Sequence, residues 1–170
     1  MRRPLLAGPL AILLVASGCK EAPPPEAATC DQIPQMALQG RVNDAATVLS
    51  DEEEVRLTQR LARYEARTRH PMVVATVASL NGATVEDFAT CLGNRWGIGR
   101  KGENDGILIL VAPNERRVRV ATGTGIEKLL SDEKAKAVID QMTPGFKSGD
   151  YAAGLTTGID AIAAQTGDAS

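Results

Sequence analysis

Apolar and polar positions alternate with different periods along the chain, and the period changes mark the elements. Leu57, Leu61 and Tyr64 recur at helical spacing behind Ser50-Asp-Glu-Glu53. That tetrad is a capping box, so residues 50–69 read as an amphipathic helix stopped by Pro71. Met72 to Ala78, MVVATVA, is short and β-branched and reads as a buried strand. Asn81-Gly82 turns the chain, and Thr84-Val-Glu-Asp87 opens a helix through Phe88, Cys91 and Leu92 to about Trp96. Gly106 to Ala112, GILILVA, is apolar on both faces, as a central strand must be. After the turn at Pro113-Asn114-Glu115, the alternation in Arg117-Val-Arg-Val120 gives a strand with one wet face. The two strands form a hairpin.

Further on, a short helix is expected around Ile126–Leu130. Another starts at Ser131-Asp-Glu and runs towards Met142, where Pro144-Gly145 is expected to break it. Asp150 caps a last helix with Tyr151, Leu155, Ile159 and Ile162 on one stripe. Strand, helix and strand in succession make a βαβ unit, whose crossover is expected to be right-handed. The elements predict an α/β fold, a three-layer α/β/α sandwich whose small mixed sheet contains the βαβ unit and the hairpin.

The amino end carries a separate message. Met1-Arg2-Arg3 is basic, Leu5 to Val15 is mostly apolar, and Ala16-Ser17-Gly18 precedes Cys19. This is the layout of a secretory leader over residues 1–18, whose apolar run is too short to span a bilayer. A cysteine after small residues is similar to a lipoprotein cleavage site, with lipid expected on Cys19. Lys20 follows it, not the aspartate that often retains lipoproteins at the inner membrane, so the expected place is the periplasmic face of the outer membrane. Residues 19–39, with Pro23-Pro24-Pro25, read as a tether. Residues 40–166 then form the domain, and residues 167–170 a frayed tail.

Charge narrows the partners. The 19 basic residues fall to 17 once Arg2 and Arg3 are removed, against 21 acidic ones. That net of −4 disfavours nucleic acid. In an oxidising envelope, Cys30 and Cys91 are either a disulfide or two free thiols, and the bridge is the expectation. A single histidine, His70, and the lack of CxxC weigh against zinc or haem. His70 reads as a solvent-facing cation at a helix end.

Trp96-Gly-Ile-Gly-Arg-Lys-Gly102 contains GxGxxG, the spacing of a dinucleotide loop. That loop must follow a strand and open a helix, so that phosphate meets the helix amino end. Here the glycines follow a helix and lead into a strand, and the motif is rejected. No GxSxG or GxxxxGK[ST] is present. The hairpin nevertheless folds Gly123-Thr-Gly125 back beside Gly99–Gly106, with His70 and Pro71 at the same end. Lys101, Glu103, Asn104, Asp105 and Glu127 thereby share one rim. It reads either as a hard-cation site or as two tight connections with solvated charges.

The blocks Arg41-Val-Asn-Asp44, Trp96-Gly-Ile-Gly-Arg-Lys-Gly102, Asn104-Asp-Gly-Ile-Leu-Ile-Leu110, Gly123-Thr-Gly-Ile-Glu127 and Phe146-Lys-Ser-Gly-Asp-Tyr151 resemble, in order, a TPM domain. The resemblance covers about residues 40–165. It implies an extracytoplasmic domain of a family in which calcium binding, weak acid phosphatase activity and assistance to membrane complexes occur. It also implies acidic positions at Asp44, Asp105 and Glu127 as ligands of one weak Ca²⁺ ion. Trp96, Lys101, Asn104, Gly123 and Gly125 are its loop and cleft positions. Thr124 departs from the pattern, since an aromatic residue is common there. Two functions follow: a non-catalytic, calcium-modulated interaction or assembly domain for envelope membrane proteins, or a weak metal-assisted phosphatase using Asp44 and Asp105.

Overall fold

The computed structural model describes residues 29–167. The leader, Cys19 and the tail after Gly167 lie outside the described residues. The elements are β1 (Val42–Asp44), α1 (Asp51–Thr68), β2 (Met72–Thr76), α2 (Val85–Trp96), β3 (Ile107–Ala112), β4 (Arg117–Thr122), α3 (Asp132–Lys147) and α4 (Tyr151–Thr166). They build one sheet of order β1-β2-β3-β4, parallel from β1 to β3 and closed by an antiparallel β4. The fold is the expected three-layer α/β/α sandwich.

Alternate strand residues face opposite layers. Met72, Val74, Ile107, Ile109, Val111 and Val120 face α1, α3 and α4. Val73, Ala75, Leu108, Leu110 and Ala112 face α2 and the segment before β1. Because both faces of β2 and β3 are covered, these strands are buried throughout and apolar but for Thr76 at the end of β2.

Local signals set the helix starts. Ser50 and Glu53 form the reciprocal capping box of α1. Thr84, Ser131 and Asp150 each accept a hydrogen bond from the backbone three residues on. None of the helices among the described residues is long and apolar enough to cross a membrane.

Several expectations are corrected. Strand β1 has only three residues, too few to show a period. Residues 124–130 form successive turns and no helix, with Ile126 N–H donating to Gly123 O and Leu129 and Leu130 N–H to Ile126 O. Helix α3 does not break at Pro144; it continues to Lys147. The proline is exposed and lies in the last turn, so its missing N–H removes one intrahelical bond only. Both crossovers step the same way across the sheet, yet α1 lies on one face and α2 on the other. The two must therefore have opposite hands, and one departs from the right-handed rule.

The expected tether is also shorter than residues 19–39. Cys30 and Cys91 form a disulfide with their Cα atoms 5.3 Å apart. Ile33 is 2 % exposed within the layer under α2. Arg95 donates to Cys30 O at 2.8 Å and Pro34 O at 2.9 Å, and Trp96 Nε1 donates to Met36 O at 2.8 Å. The chain is held from Cys30 onward.

Candidate functional site

The two glycine loops share one rim, as the hairpin requires. Gly123 N–H donates to Gly106 O and Gly125 N–H to Asn104 O, both at 2.9 Å. A Cβ at Gly123 would overlap the carbonyl oxygen of Asn104, and one at Gly125 that of Glu103. Glycine is needed here because backbone packs on backbone, leaving those carbonyls occupied by the opposite loop. A cleft of about 370 Å³ opens beside this seam, lined by Asn94, Asn104, Gly123 and Thr124 among others. Thr124 contributes a small polar part of its wall.

Asp105 is the carboxylate that closes the loop. It is 2 % exposed. Its Oδ1 accepts Arg100 N–H at 2.8 Å, and its Oδ2 accepts Arg100 Nε at 2.7 Å. His70 Nδ1 lies 2.9 Å from the same Oδ2. Burial pulls the Asp105 pKa upward. The Arg100 backbone and guanidinium bonds and the His70 bond outweigh it and hold the carboxyl down at about 2. His70 is thus no solvent-facing helix-end cation; it stitches the lead-in of β2 to the lead-in of β3.

The expected ligands do not converge. Register pairs Asp44 with Thr76, and Thr76 with Val111, at the far end of the sheet. Asp105 precedes Ile107, which pairs with Met72 at the near end. At about 3.3 Å per strand residue, the two carboxylates lie more than about 13 Å apart. Asp44 accepts from the Thr76 hydroxyl and, at 2.9 Å, from Leu49 N–H. Its acidic neighbours are Glu54 and Asp51, and the Glu54 pKa is raised by burial and then by Asp44 and Asp51. Glu127 is exposed on the turn after Gly125 and makes no ion pair among the described residues. No group of three or more His, Cys, Asp or Glu side chains among the described residues is arranged to hold a metal. A cation at the rim would have to displace the Arg100 guanidinium from Asp105. The residues present therefore do not fit a shared Ca²⁺ site, and Asp44 and Asp105 cannot act on one phosphoryl group.

Of the other expected positions, Asn104 lines the cleft with φ +49°, and Lys101 is exposed on its outer loop. Trp96 is used elsewhere, anchoring the segment before β1. The residues that sequence reasoning missed are Arg95, Arg100 and the His70 contact. Arg100 carries a local signal, a guanidinium five residues before an aspartate across a glycine turn. His70 and Asp105 are 35 residues apart and carry none.

A mixed four-stranded sheet between helical layers, with paired glycine loops at one rim, defines a three-layer α/β/α domain. The TPM domain family profile matches residues 42–165, and the chain belongs to that family. It is similar to the solution structure of the N-terminal domain of a P. gingivalis protein. That likeness has 33 % identity and a TM-score of 0.69, and spans 82 % of this chain and 92 % of that one. The N-terminal domain of the cg2496 protein from Corynebacterium glutamicum shares the fold at 15 % identity and TM-score 0.62, covering 81 % and 86 %. So does the BA42 protein from Bizionia argentinensis, at 23 % and 0.61, covering 69 % and 83 %. No curated protein matches the chain significantly.

Proposed function

We propose that this chain is a non-catalytic interaction domain, anchored through lipid on Cys19 at the periplasmic face of the outer membrane, that assists envelope membrane proteins. The observation that carries the reading is the clamp on the amino-terminal segment. Disulfide, Arg95, Trp96 and Ile33 together fasten residues 30–36 to α2. A domain presented on a lipid tether needs its attachment point rigid, so that its surface faces a partner in one orientation. The rim chemistry supports a binding role over turnover. Its one buried carboxylate is consumed by Arg100 and His70, and its glycines serve backbone packing. Calcium is left out of the proposal because Asp44 lies at the opposite end of the sheet from Asp105, whose carboxylate is held by Arg100 and His70.

The test is photocrosslinking in native membranes with a label on the α2 or hairpin side, for the native chain and for Cys19→Ala. The native chain should fractionate with membranes and yield discrete adducts with membrane proteins. Cys19→Ala should be released to the soluble fraction and lose them. A Cys19→Ala protein that still pellets and crosslinks identically would sink the anchored reading.

A further inference from the structure

A second cleft lies at the end of the sheet opposite the glycine rim, where β3 turns into β4 and α3 passes to α4. Its volume is about 750 Å³, within the range of ligand-receiving clefts. Its walls are cationic. Arg116 and Arg117 project from the hairpin, and Lys147 from the end of α3. Its floor is apolar and aromatic: Val118 lines it together with Phe146 and Tyr151, whose rings stack with centroids 5.5 Å apart.

None of the three cations is ion-paired with any described residue. The neighbouring carboxylates are engaged elsewhere. Glu115 accepts from Leu80 N–H at 2.9 Å and Ser79 Oγ at 3.0 Å, and Asp150 caps α4 through Ala153 N–H at 2.9 Å. Arg116 holds a left-handed conformation, φ +53°, a backbone that a residue other than Gly, Asn or Asp seldom adopts. In a chain with formal charge −2, three unpaired cations around one apolar floor are a local excess of the opposite sign.

We infer that this cleft receives an acidic segment of the partner protein, an extended stretch with carboxylates on either side of one apolar side chain. The inference rests on the docking reading above and names the chemistry of its partner. A small inorganic anion would satisfy the walls and leave the floor exposed. A purely apolar segment would fill the floor and strand the cations. Carboxylates flanking a ring or a branched side chain satisfy both, with charge guiding the encounter.

The test uses the purified full chain in non-ionic detergent and fluorescently labelled acetyl-Glu-Glu-Phe-Glu-Glu amide, read by anisotropy. Saturable binding is expected, weakening steeply from about 0.05 to about 0.3 M salt as screening grows. Arg117→Glu with Lys147→Glu should weaken it by about tenfold or more, attraction at two exposed pairs having become repulsion. The same double variant should gain affinity for the Lys-Lys-Phe-Lys-Lys peptide, an outcome that misfolding cannot produce. Equal binding of the uncharged Gln-Gln-Phe-Gln-Gln peptide, or unchanged affinity in the double variant, would overturn the inference. So would binding of phosphatidylglycerol vesicles in place of the peptide, which would assign the cleft to lipid headgroups. If the double variant loses the peptide yet gives the native membrane adducts, the cleft inference fails and the docking reading stands. If the peptide binds as expected but the native chain gives no adducts, the docking reading fails alone.

Discussion

At the scale of single residues, Asp105 is the charged staple of the rim. Its oxygens satisfy Arg100 twice and His70 once, in a position from which water is nearly excluded. Its folded pKa of about 2 lies below the ordinary aspartate value of 3.8. A depressed carboxylate stabilises the fold above its unfolded pKa, and that contribution is lost as pH falls through the folded value. The window is therefore about pH 4 down to about pH 2, and the linked stability is about 2 kcal/mol. Asp105→Asn should lower urea-unfolding stability near pH 6 by about 2 kcal/mol. The gap between wild type and variant should close as pH approaches 2. A gap constant with pH would show that the carboxylate is not the charged staple described. Gly123→Ala tests the seam itself. Its Cβ would meet the Asn104 carbonyl, which is backbone and cannot swing aside, so a loss of about 2 kcal/mol or more is expected. A loss under about 0.5 kcal/mol, the range of indifferent surface sites, would mean that the loops are not in close contact.

At the scale of elements, what was legible was local. The Ser50–Glu53 box, the Thr84 cap and the largely apolar runs of β2 and β3 are written within a few consecutive residues, and each element starts within a residue of where they say. The hairpin was legible too, and with it the meeting of the two glycine loops. Features depending on distant partners were not legible. β1 exists because it can pair with β2, and three residues carry no period. The segment after Thr29 looks like a continuation of the proline tether. Only its docking against Cys91, Arg95 and Trp96 makes it structure. The metal reading failed for a related reason. Block order along the chain brings Asp44, Asp105 and Glu127 into one family signature, while strand direction sends Asp44 to the opposite end of the sheet. The disulfide belongs to this scale. It closes a loop of sequence separation 61, and chain-entropy reasoning makes its contribution on the order of 4 kcal/mol. Cys30→Ala with Cys91→Ala should lose up to that amount in urea unfolding, and amide exchange across residues 30–36 should accelerate relative to α1. Unchanged protection there would mean that Arg95, Trp96 and Ile33 suffice without the bridge.

At the scale of the whole molecule, the question is where the folded unit begins, because that sets the length of any tether below it. The sequence places the boundary at residue 40. The structure places it at Cys30, and the ten residues between are not neutral filler. They carry Ile33, whose burial is worth about 2 kcal/mol. They also carry the backbone carbonyls that satisfy Arg95 and the Trp96 indole, and one half of the disulfide. A chain cut back to Gly40 keeps every strand and helix of the sandwich. It also keeps Trp96 without its acceptor, Arg95 without its carbonyls and Cys91 as a free thiol beneath an uncovered patch of α2. Two proteins settle the boundary, one beginning at Thr29 and one at Gly40, compared with the full chain by thermal unfolding. The Thr29 protein should melt with the full chain. The Gly40 protein should melt at least about 10 °C lower, since several kcal/mol are removed from a domain of this size. If the Gly40 protein melts with the other two, the segment is an ornament on the surface, the attachment point is not rigid, and the orientation argument for a docking domain loses its footing.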